Sequence, residues 1–479
     1  MLFNSFEFAL FLPLVFIFYW FIFNNNLRIQ NFFLLVAAYV FYGWWDWRFL
    51  FLIVFSSGLD FMIGIQLSKI EVKEYRRLFF GLSCLVNLGF LGFFKYFNFF
   101  VDSFVAAFSQ IGIHLEPRTL NIILPVGISF YTFQSMSYVL DIYRKRMQPT
   151  RDIIAFFGFV SFFPHLVAGP IQQATQLLPQ FYVKRTFDAA KARDGMRQIL
   201  WGFFKKVVIA DNCAPHVNYI FDHYTTLPAS SLLVGAVYFA FQIYGDFSGY
   251  SDIAIGSARL FGFNLTRNFA YPYFSRDIAE FWRRWHISLS SWFREYVYYP
   301  LGGSRGTLWR SARNTIIVFV VSGFWHGANW TFIGWGLLNG LYFLPLLLTA
   351  SNRNHTDIVA GGRLFPSFVE LAQMGMTFSL VTVGWILFRS KNISEAFTYI
   401  ELLISPSLFT IPEGLHLTVI LPLIAILIIV EWIQRDKQHG LQIDTIGRRP
   451  VRWLIYQCII LLILLCGSFT KTEFIYFAF

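Results

Sequence analysis

Apolar runs long enough to cross a lipid bilayer recur along this chain from its first residues to its last. About 20 helical residues cross a hydrocarbon core of about 30 Å, and runs such as 78–101 and 329–349 have that length. Charged residues make up only 14% of the 479 residues, whereas they make up about 25% of a soluble globular domain. The sequence therefore predicts an all-α, polytopic integral membrane protein.

The predicted topology has about 11–12 transmembrane helices, with re-entrant or interfacial helices between some of them. The sequence shows no second domain and no internal repeat, so we expect 1–479 to form one membrane-embedded domain. We place single spans at about 6–23, 30–44, 49–67, 78–101, 120–140, 197–221, 231–262, 367–388, 416–433 and 453–467, and a hairpin at 312–349.

Basic residues gather in short loops between the apolar runs, which is the distribution typical of cytoplasmic loops. The net charge of +11 therefore reflects membrane topology. Binding of single-stranded nucleic acid needs basic residues interleaved with aromatic ones in a soluble segment. No segment of the sequence has that pattern, so nucleic acid is not expected as a partner. The basic loops contain Lys69, Lys73, Arg76 and Arg77, then Arg144, Lys145, Arg146 and Arg151, and finally Arg435, Lys437, Arg448, Arg449 and Arg452.

Two segments are too irregular for a plain crossing. Residues 152–171 are apolar but contain Pro164, Gly169 and Pro170, and four cations follow before residue 196. A full crossing would place those cations outside, so we expect a re-entrant or interfacial segment that returns to the cytoplasmic face. Broken backbone at membrane depth is stable only where protein or a water-filled cavity covers it. Residues 263–311 are rich in arginine and aromatic residues, which predicts a helix at the cytoplasmic interface.

The run 312–349 is too long for one span and contains a polar, glycine-containing break at 323–329. Two further spans lie between the basic loops 267–311 and 434–452. Those loops therefore share a face of the membrane only if 312–349 crosses an even number of times. We predict a hairpin with His326 near its bend.

His326 is an ionisable residue inside the apolar run IIVFVVSGFWHGANW. Such a residue usually faces the interior of the helical bundle or a pathway through it. A low dielectric disfavours the imidazolium form, so we expect a neutral ring that can accept a proton. Gly323 and Gly327 would let a second helix or a ligand approach closely. A structural histidine that hydrogen-bonds across helices remains the alternative.

His286 follows two arginines and a tryptophan in FWRRWHISLSSWF. On a continuous helix, Trp282, His286 and Ser290 would share one face, with Arg283 and Arg294 elsewhere. These arginines are either solvated, bound to lipid phosphate or bound to a phosphate-bearing donor, because guanidinium matches the geometry of phosphate. The alternative for His286 is an incidental histidine on a tilted interfacial helix.

Asp246 and Asp252 lie inside a predicted span, in QIYGDFSGYSDIAIGSARLFG (242–262). Carboxylates in such a place are costly unless they are paired. A role in shaping a polar cavity and a direct chemical role are both open, and neither carboxylate is assigned as catalytic. The sequence has no Walker A loop, G-x-S-x-G elbow or H-E-x-x-H pair, so neither ATP coupling nor a catalytic metal is expected.

At FWRRWHISLSSWFREYVYYPLGGSR (281–305) and SGFWHGANWTFIGWGLLNG (322–340), the chain resembles the membrane-bound O-acyltransferase family, and within it the bacterial alginate O-acetyltransferases. The resemblance covers nearly the whole chain, and the region of the two histidines is its most specific part. Supporting stretches are LPVGISFYTFQSMSYVLDIYR (124–144), FVSFFPHLVAGPI (159–171), YGDFSGYSDIAIG (244–256) and GWILFR (384–389).

The resemblance implies transfer of an acyl group, expected to be acetyl, to hydroxyls of an exported polysaccharide such as alginate. The family's catalytic histidine matches His326, and its second active-site residue matches His286. A tunnel would let a cytoplasmic acyl thioester, expected to be acetyl-CoA, meet an acceptor from outside, with no permanently bound cofactor. The resemblance also implies a bacterial inner-membrane location and a periplasmic partner of the serine-hydrolase-like type that completes the transfer.

The chemistry would then lie within about 242–340. We hypothesise that His326 takes the proton of the acceptor hydroxyl as its oxygen attacks the thioester carbonyl. His286 would orient the donor or stabilise the oxyanion. The further candidates for a donor or substrate pocket are Trp325, Asn329, Trp282, Arg283, Ser290, Asp246 and Asp252.

Three alternatives stay open from the sequence. Within the family, a D-alanyl transferase for teichoic acid would take its acyl group from a carrier protein. A polysaccharide transporter without chemistry would explain ionisable residues inside the membrane, but it should show internal repeats with paired broken helices. A scaffold subunit would leave all of the chemistry to its partner.

Overall fold

The structure is a computed structural model that describes residues 1–116, 119–167, 169–413, 417–469 and 474–475. Every regular element in these ranges is a helix. Several helices begin at a residue type that caps the free N–H groups of a first turn. Asn26, Thr307 and Ser367 each accept a hydrogen bond from a backbone N–H of the turn that follows. The predicted all-α fold is confirmed.

The chain forms two compact units, and the first comprises Met1–Ala192 and Ser257–Thr266. Asp60 of this unit is fully buried, and its carboxylate accepts hydrogen bonds from the Ser83 hydroxyl (2.6 Å) and the Asn87 amide (3.0 Å). These bonds replace the lost hydration of the carboxylate. The helices of the first unit are α1 (Phe6–Ile17), α2 (Leu27–Asp46), α3 (Leu50–Lys69), α4 (Lys73–Leu91), α5 (Phe97–Gln110), α6 (Ile128–Tyr143), α7 (Ile153–Ser161), α8 (Phe163–Leu166) and α9 (Ala174–Leu177).

The second unit comprises Arg193–Gly256 and Arg267–Phe479. A π-helical segment, Phe204–Ala210, joins its first two helices. The helices that lie wholly or mostly in this unit are α10 (Ala189–Phe203), α11 (Asp211–Asp222), α12 (Ala229–Leu260), α13 (Ile278–Arg284), α14 (Ile287–Phe293), α15 (Leu308–His326), α16 (Trp330–Leu348), α17 (Phe368–Arg389), α18 (Ile393–Leu402), α19 (Leu417–Ile433) and α20 (Arg449–Cys466).

Five helical stretches in the described part of the chain are long and apolar enough to cross a bilayer. Two further apolar helices, Phe6–Ile22 and Thr418–Ile433, are shorter. These stretches confirm a multi-pass membrane protein, while the number of about 11–12 crossings stays a prediction. The five stretches are Leu27–Lys69, Lys73–Gln110, Trp330–Leu348, Phe368–Arg389 and Arg449–Cys466.

The predicted helical hairpin at 312–349 is confirmed, while its even number of membrane crossings stays a prediction. Helix α15 ends at His326, α16 begins at Trp330, and the two helices pack against each other. A Cβ atom on Gly323 would lie 2.2 Å from the carbonyl oxygen of Phe332. Because only glycine allows so close an approach, Gly323 lets the two backbones meet and leaves His326 at the turn.

The structure differs from the prediction near residue 120 and clarifies the segment at 152–171. The span predicted at 120–140 is wrong for residues 120–127, because α6 begins only at Ile128, after Gly127 with φ 73°. Glycine adopts this left-handed conformation at little cost, and Gly127 separates α6 from the irregular residues before it. Residues 152–171 contain two short helices, α7 and α8, which confirms that the segment is broken. Its return to the cytoplasmic face stays a prediction.

Candidate active site

His286 lies at a sharp turn of the backbone between α13 and α14, at φ 43° and ψ 53°. This left-handed conformation costs a residue with a Cβ atom about 1–2 kcal/mol, so neighbouring contacts must hold it. Two of these contacts join the turn to an irregular segment earlier in the chain, which contains Asn268 and Ala270. The Ile287 N–H donates to the Asn268 carbonyl at 2.9 Å, and the Ala270 N–H donates to the Arg284 carbonyl at 2.9 Å.

The turn at His286 makes one sequence prediction wrong. Trp282 lies on α13 and Ser290 lies on α14, so Trp282, His286 and Ser290 do not share one face of a continuous helix. The Ser290 hydroxyl lies 3.5 Å from the Trp285 carbonyl oxygen. The Trp282 ring instead packs against Trp335, with ring centroids 5.6 Å apart. Residues 263–311 are accordingly a series of short helices and not one interfacial helix.

The imidazole of His286 is buried, with 1% of the residue exposed. Its Nδ1 lies 3.1 Å from Oδ1 of Asn268, and its ring centroid lies 4.6 Å from that of Phe247. Nε2 of His286 has no hydrogen-bond partner among the residues that the structure describes. His286 lies in a turn outside the candidate spans. Burial removes water from its imidazole, and this lowers the pKa of the ring to about 3. The ring is therefore neutral across the physiological pH range.

His326 is the last residue of α15 and is equally enclosed, with 3% of the residue exposed. Its ring centroid lies 6.3 Å from that of His286, so the structure brings the two predicted histidines together. Aromatic rings surround it: the ring centroids of Trp335 and Phe388 lie 5.2 Å and 5.5 Å away. The arrangement holds two imidazoles in an environment that excludes bulk water.

Trp325 joins the two histidines. Its ring centroid lies 4.9 Å from that of His326 and 6.0 Å from that of His286. Of the pocket candidates predicted from the sequence, this tryptophan contacts the histidine pair most directly. Its indole is buried, so it forms part of the wall around the two rings.

Asn329 and Arg283, also predicted as pocket residues, bind backbone groups. Asn329 caps α16 by accepting from the Thr331 N–H at 3.0 Å. The Arg283 guanidinium donates to the carbonyl oxygens of Asn352 (2.8 Å) and His355 (2.6 Å). These contacts hold a loop and the start of a helix, and a role of either residue toward a donor stays a prediction.

Asp246 and Asp252, which the sequence places inside a span, are each paired with a lysine. Lys206 Nζ lies 2.7 Å from Asp246, and Lys205 Nζ lies 2.6 Å from Asp252. Both lysines lie in the π-helical segment Phe204–Ala210, a helix type that is frequent at functional sites. The expectation that these carboxylates need partners is confirmed. The lysines were missed, although two adjacent cations inside a predicted span were a visible signal.

A polar cavity adjoins the turn of His286. Asn268 links the two, because it lines the cavity and also contacts His286. Residues at helical spacing on α12, Asp252 among them, form part of the cavity wall. The charged residues of the lining are Lys205, Asp252, Arg267 and Glu431, and the others are Trp201, Tyr244, Ser248, Ser251, Ile255, Asn268, Phe269, Tyr271, Gln438 and His439.

Known proteins resemble this chain over half of its length or more. A model of the membrane-bound O-acyltransferase (MBOAT) family matches residues 148–383, which include both histidines. The chain is 41% identical over 389 residues to the Azotobacter vinelandii protein named "Probable alginate O-acetylase AlgI", across 81% of this chain and 74% of that one. It is 36% identical over 426 residues to "Peptidoglycan O-acetyltransferase" of Helicobacter pylori, across 83% and 78% of the two chains. Similarity to "Teichoic acid D-alanyltransferase" of Streptococcus thermophilus is lower, 28% over 267 residues, across 51% and 62%.

Proposed function

Because the chain belongs to the membrane-bound O-acyltransferase family, we propose that it transfers an acetyl group from a cytoplasmic thioester, acetyl-CoA, to hydroxyls of an exported polysaccharide such as alginate. The observation that carries the proposal is the buried pair of His286 and His326, with ring centroids 6.3 Å apart. The name of the Azotobacter relative supports alginate as the acceptor. The name of the Helicobacter relative supports acetyl as the group transferred. Family membership makes the protein an O-acyltransferase, so a transporter or a scaffold without chemistry is no longer supported.

In the proposed reaction, His326 accepts the proton of the acceptor hydroxyl while the hydroxyl oxygen attacks the carbonyl carbon of the thioester. A C–O bond forms and the C–S bond breaks. The proton then passes from His326 to the departing thiolate, which leaves as a free thiol. A base in this position accounts for about 10²–10⁴-fold of the rate. His286 is the second imidazole at this centre.

The aromatic wall around the two histidines supports this chemistry in a second way. Trp325, Trp335 and Phe388 pack against the His326 ring, and a dry centre protects a thioester from hydrolysis. The acyl group is thereby kept for the sugar hydroxyl.

The proposal places the protein in the bacterial inner membrane, where it would link a cytoplasmic donor to a periplasmic acceptor. A periplasmic partner of the serine-hydrolase-like type would complete transfer to the polymer. The multi-pass character of the chain and its basic loops support such a position.

The test is thiol release from acetyl-CoA by the purified protein in lipid nanodiscs, with and without an alginate oligosaccharide. We expect acceptor-dependent thiol release by the native protein and a loss of at least about 100-fold in His326→Ala. The matched control is His223→Ala, because His223 is an exposed histidine that caps the end of α11, and its ring Nδ1 bonds the Tyr219 carbonyl of the same helix. Native-like acetyl transfer by folded His326→Ala would overturn the proposal.

The similarity to a teichoic acid D-alanyltransferase keeps one second candidate, transfer of D-alanine from a carrier protein. The same assay separates the two. Thiol release from a D-alanyl carrier protein, with none from acetyl-CoA, would favour the second candidate. Release from acetyl-CoA alone would favour acetyl transfer.

A further inference from the structure

We propose that Asn268 is a positioning residue that fixes His286 as the Nδ1–H tautomer, so that Nε2 of His286 accepts a hydrogen bond from a hydroxyl of the acceptor sugar. That hydroxyl neighbours the one whose proton goes to His326. The inference rests on the proposed function and assigns His286 to the acceptor side of the reaction. It adds a residue that the sequence did not single out.

The first step is the orientation of the Asn268 amide. The backbone N–H of Ser288 can only donate, and it lies 3.4 Å from Oδ1 of Asn268, while the Ser288 hydroxyl donates to the same oxygen at 2.9 Å. On its other side, Nδ2 of Asn268 donates to the Ser251 hydroxyl at 3.2 Å. A flipped amide would set its NH₂ group against the Ser288 N–H, two donors face to face. The oxygen therefore faces the His286 ring.

The second step is the protonation of His286. Oδ1 of Asn268 is an acceptor 3.1 Å from Nδ1, so Nδ1 carries the hydrogen. A neutral imidazole has one N–H, so Nε2 presents a lone pair. The same Asn268 also accepts the Ile287 N–H through its main-chain carbonyl at 2.9 Å. One residue thus holds both the backbone turn and the ring of His286.

The third step is the class of group that Nε2 can meet. Nε2 is buried and has no hydrogen-bond partner among the described residues, so its partner at the reaction centre must be a donor. A sugar hydroxyl donates, whereas the carbonyl oxygen of the thioester and the oxyanion formed from it only accept. His286 therefore binds the acceptor, and the oxyanion-stabilising role expected from the sequence does not fit this tautomer.

The test uses two substitutions, measured in the thiol-release assay and normalised to folded protein in nanodiscs. Asn268→Leu removes the acceptor and frees the ring, so we expect the KM for the oligosaccharide to rise at least about 10-fold while the KM for acetyl-CoA stays within about threefold. Asn268→Asp keeps an acceptor at Nδ1 but adds a negative charge, which raises the pKa of an adjacent imidazole by about 1–3 units. We expect an acidic limb in its pH–rate profile at a pH where the native profile is flat.

The matched control is Asn314→Leu, since Asn314 is another buried asparagine of the second unit and bonds the carbonyls of Leu301 and Gly303. It should lower the yield of folded protein without changing the oligosaccharide KM or the pH profile. An unchanged oligosaccharide KM in Asn268→Leu, or a rise in the acetyl-CoA KM in its place, would overturn the inference. If Asn268→Asp does not fold, Asn268→Leu decides alone. A native protein without acceptor-dependent thiol release refutes the proposed function instead, which keeps the two failures apart.

Discussion

Replacement of Lys206 by methionine should destabilise the second unit more than any exposed charge substitution. Lys206 Nζ lies 2.8 Å from Asp211 and 2.7 Å from Asp246, and all three side chains are at most 4% exposed. One ammonium therefore compensates two buried carboxylates, and its removal takes that positive charge away from both. The Ile475 N–H also donates to Asp246 at 2.7 Å, but a single amide cannot replace a full positive charge.

The magnitude follows from the burial of the three groups. Breaking a buried ion pair by removing one partner costs about 3–5 kcal/mol. For a unit of more than 200 residues, a loss of that size lowers the apparent midpoint of thermal unfolding by about 5–10 °C. A rescue is expected when the charges are removed together, so Lys206→Met with Asp211→Asn and Asp246→Asn should recover part of the loss.

The assay is thermal unfolding in detergent, followed by size-exclusion chromatography of the soluble fraction at matched heating rates. The control is Lys391→Met, because Lys391 pairs with Asp222 at 2.7 Å with side chains 63% and 49% exposed. Exposed pairs contribute about 0–1 kcal/mol, so this control should shift the midpoint by no more than about 2 °C. A midpoint for Lys206→Met equal to that of the control would refute the reasoning.

Two further outcomes are expected. Gly323→Ala should lower the yield of folded protein, because its Cβ would lie 2.2 Å from the Phe332 carbonyl oxygen and overpacking costs about 1–3 kcal/mol. The control is Gly375→Ala, whose Cβ would meet no atom within 4 Å. Equal yields of the two variants would contradict the prediction. The Arg276 guanidinium beside Asp357 holds the pKa of that carboxyl below its usual range. The stabilisation it gives is present above the usual pKa of about 3.9 and is lost as the pH falls through the lowered value. The difference in unfolding midpoint between native protein and Asp357→Asn should therefore be small and constant from pH 7 to about pH 5 and shrink as the pH falls below the usual pKa of about 3.9. A difference that grows in acid would contradict the assignment.

The hairpin that carries His326 could be predicted from the sequence because its determinants are local. The length of the apolar run, the glycine-containing break and the charges of the flanking loops all lie in one stretch of chain. The helical period of α15 and α16 is also local. For this reason the bend was placed correctly at His326.

The turn at His286 could not be predicted in the same way. Nothing in WRRWHISLSSW forbids a continuous helix, since the stretch contains neither glycine nor proline. The chain turns there because the carbonyl and the amide of Asn268, a residue distant in sequence, supply the hydrogen bonds that hold it. A tertiary contact outweighs local propensity at this position.

The partners of Lys205 and Lys206 could not be predicted from the sequence for a related reason. A hydropathy window averages over about 20 residues, so Lys205 and Lys206 are lost among their apolar neighbours. Their significance depends on Asp246 and Asp252, which lie on another helix. A hydropathy value describes one segment at a time, so it cannot show that charges on two different helices form pairs.

The π-helical segment Phe204–Ala210 has a mechanical consequence. Its widened turn sends two adjacent lysines to carboxylates six positions apart on α12, Lys206 to Asp246 and Lys205 to Asp252. Sliding of one helix along the other by a single turn would separate Lys205 from Asp252 and Lys206 from Asp246, in a medium that cannot hydrate the two carboxylates. The two ion pairs therefore fix the register of the π-helical segment against α12. Any opening that admits a substrate must carry them together as a rigid body and take its flexibility from elsewhere in the chain.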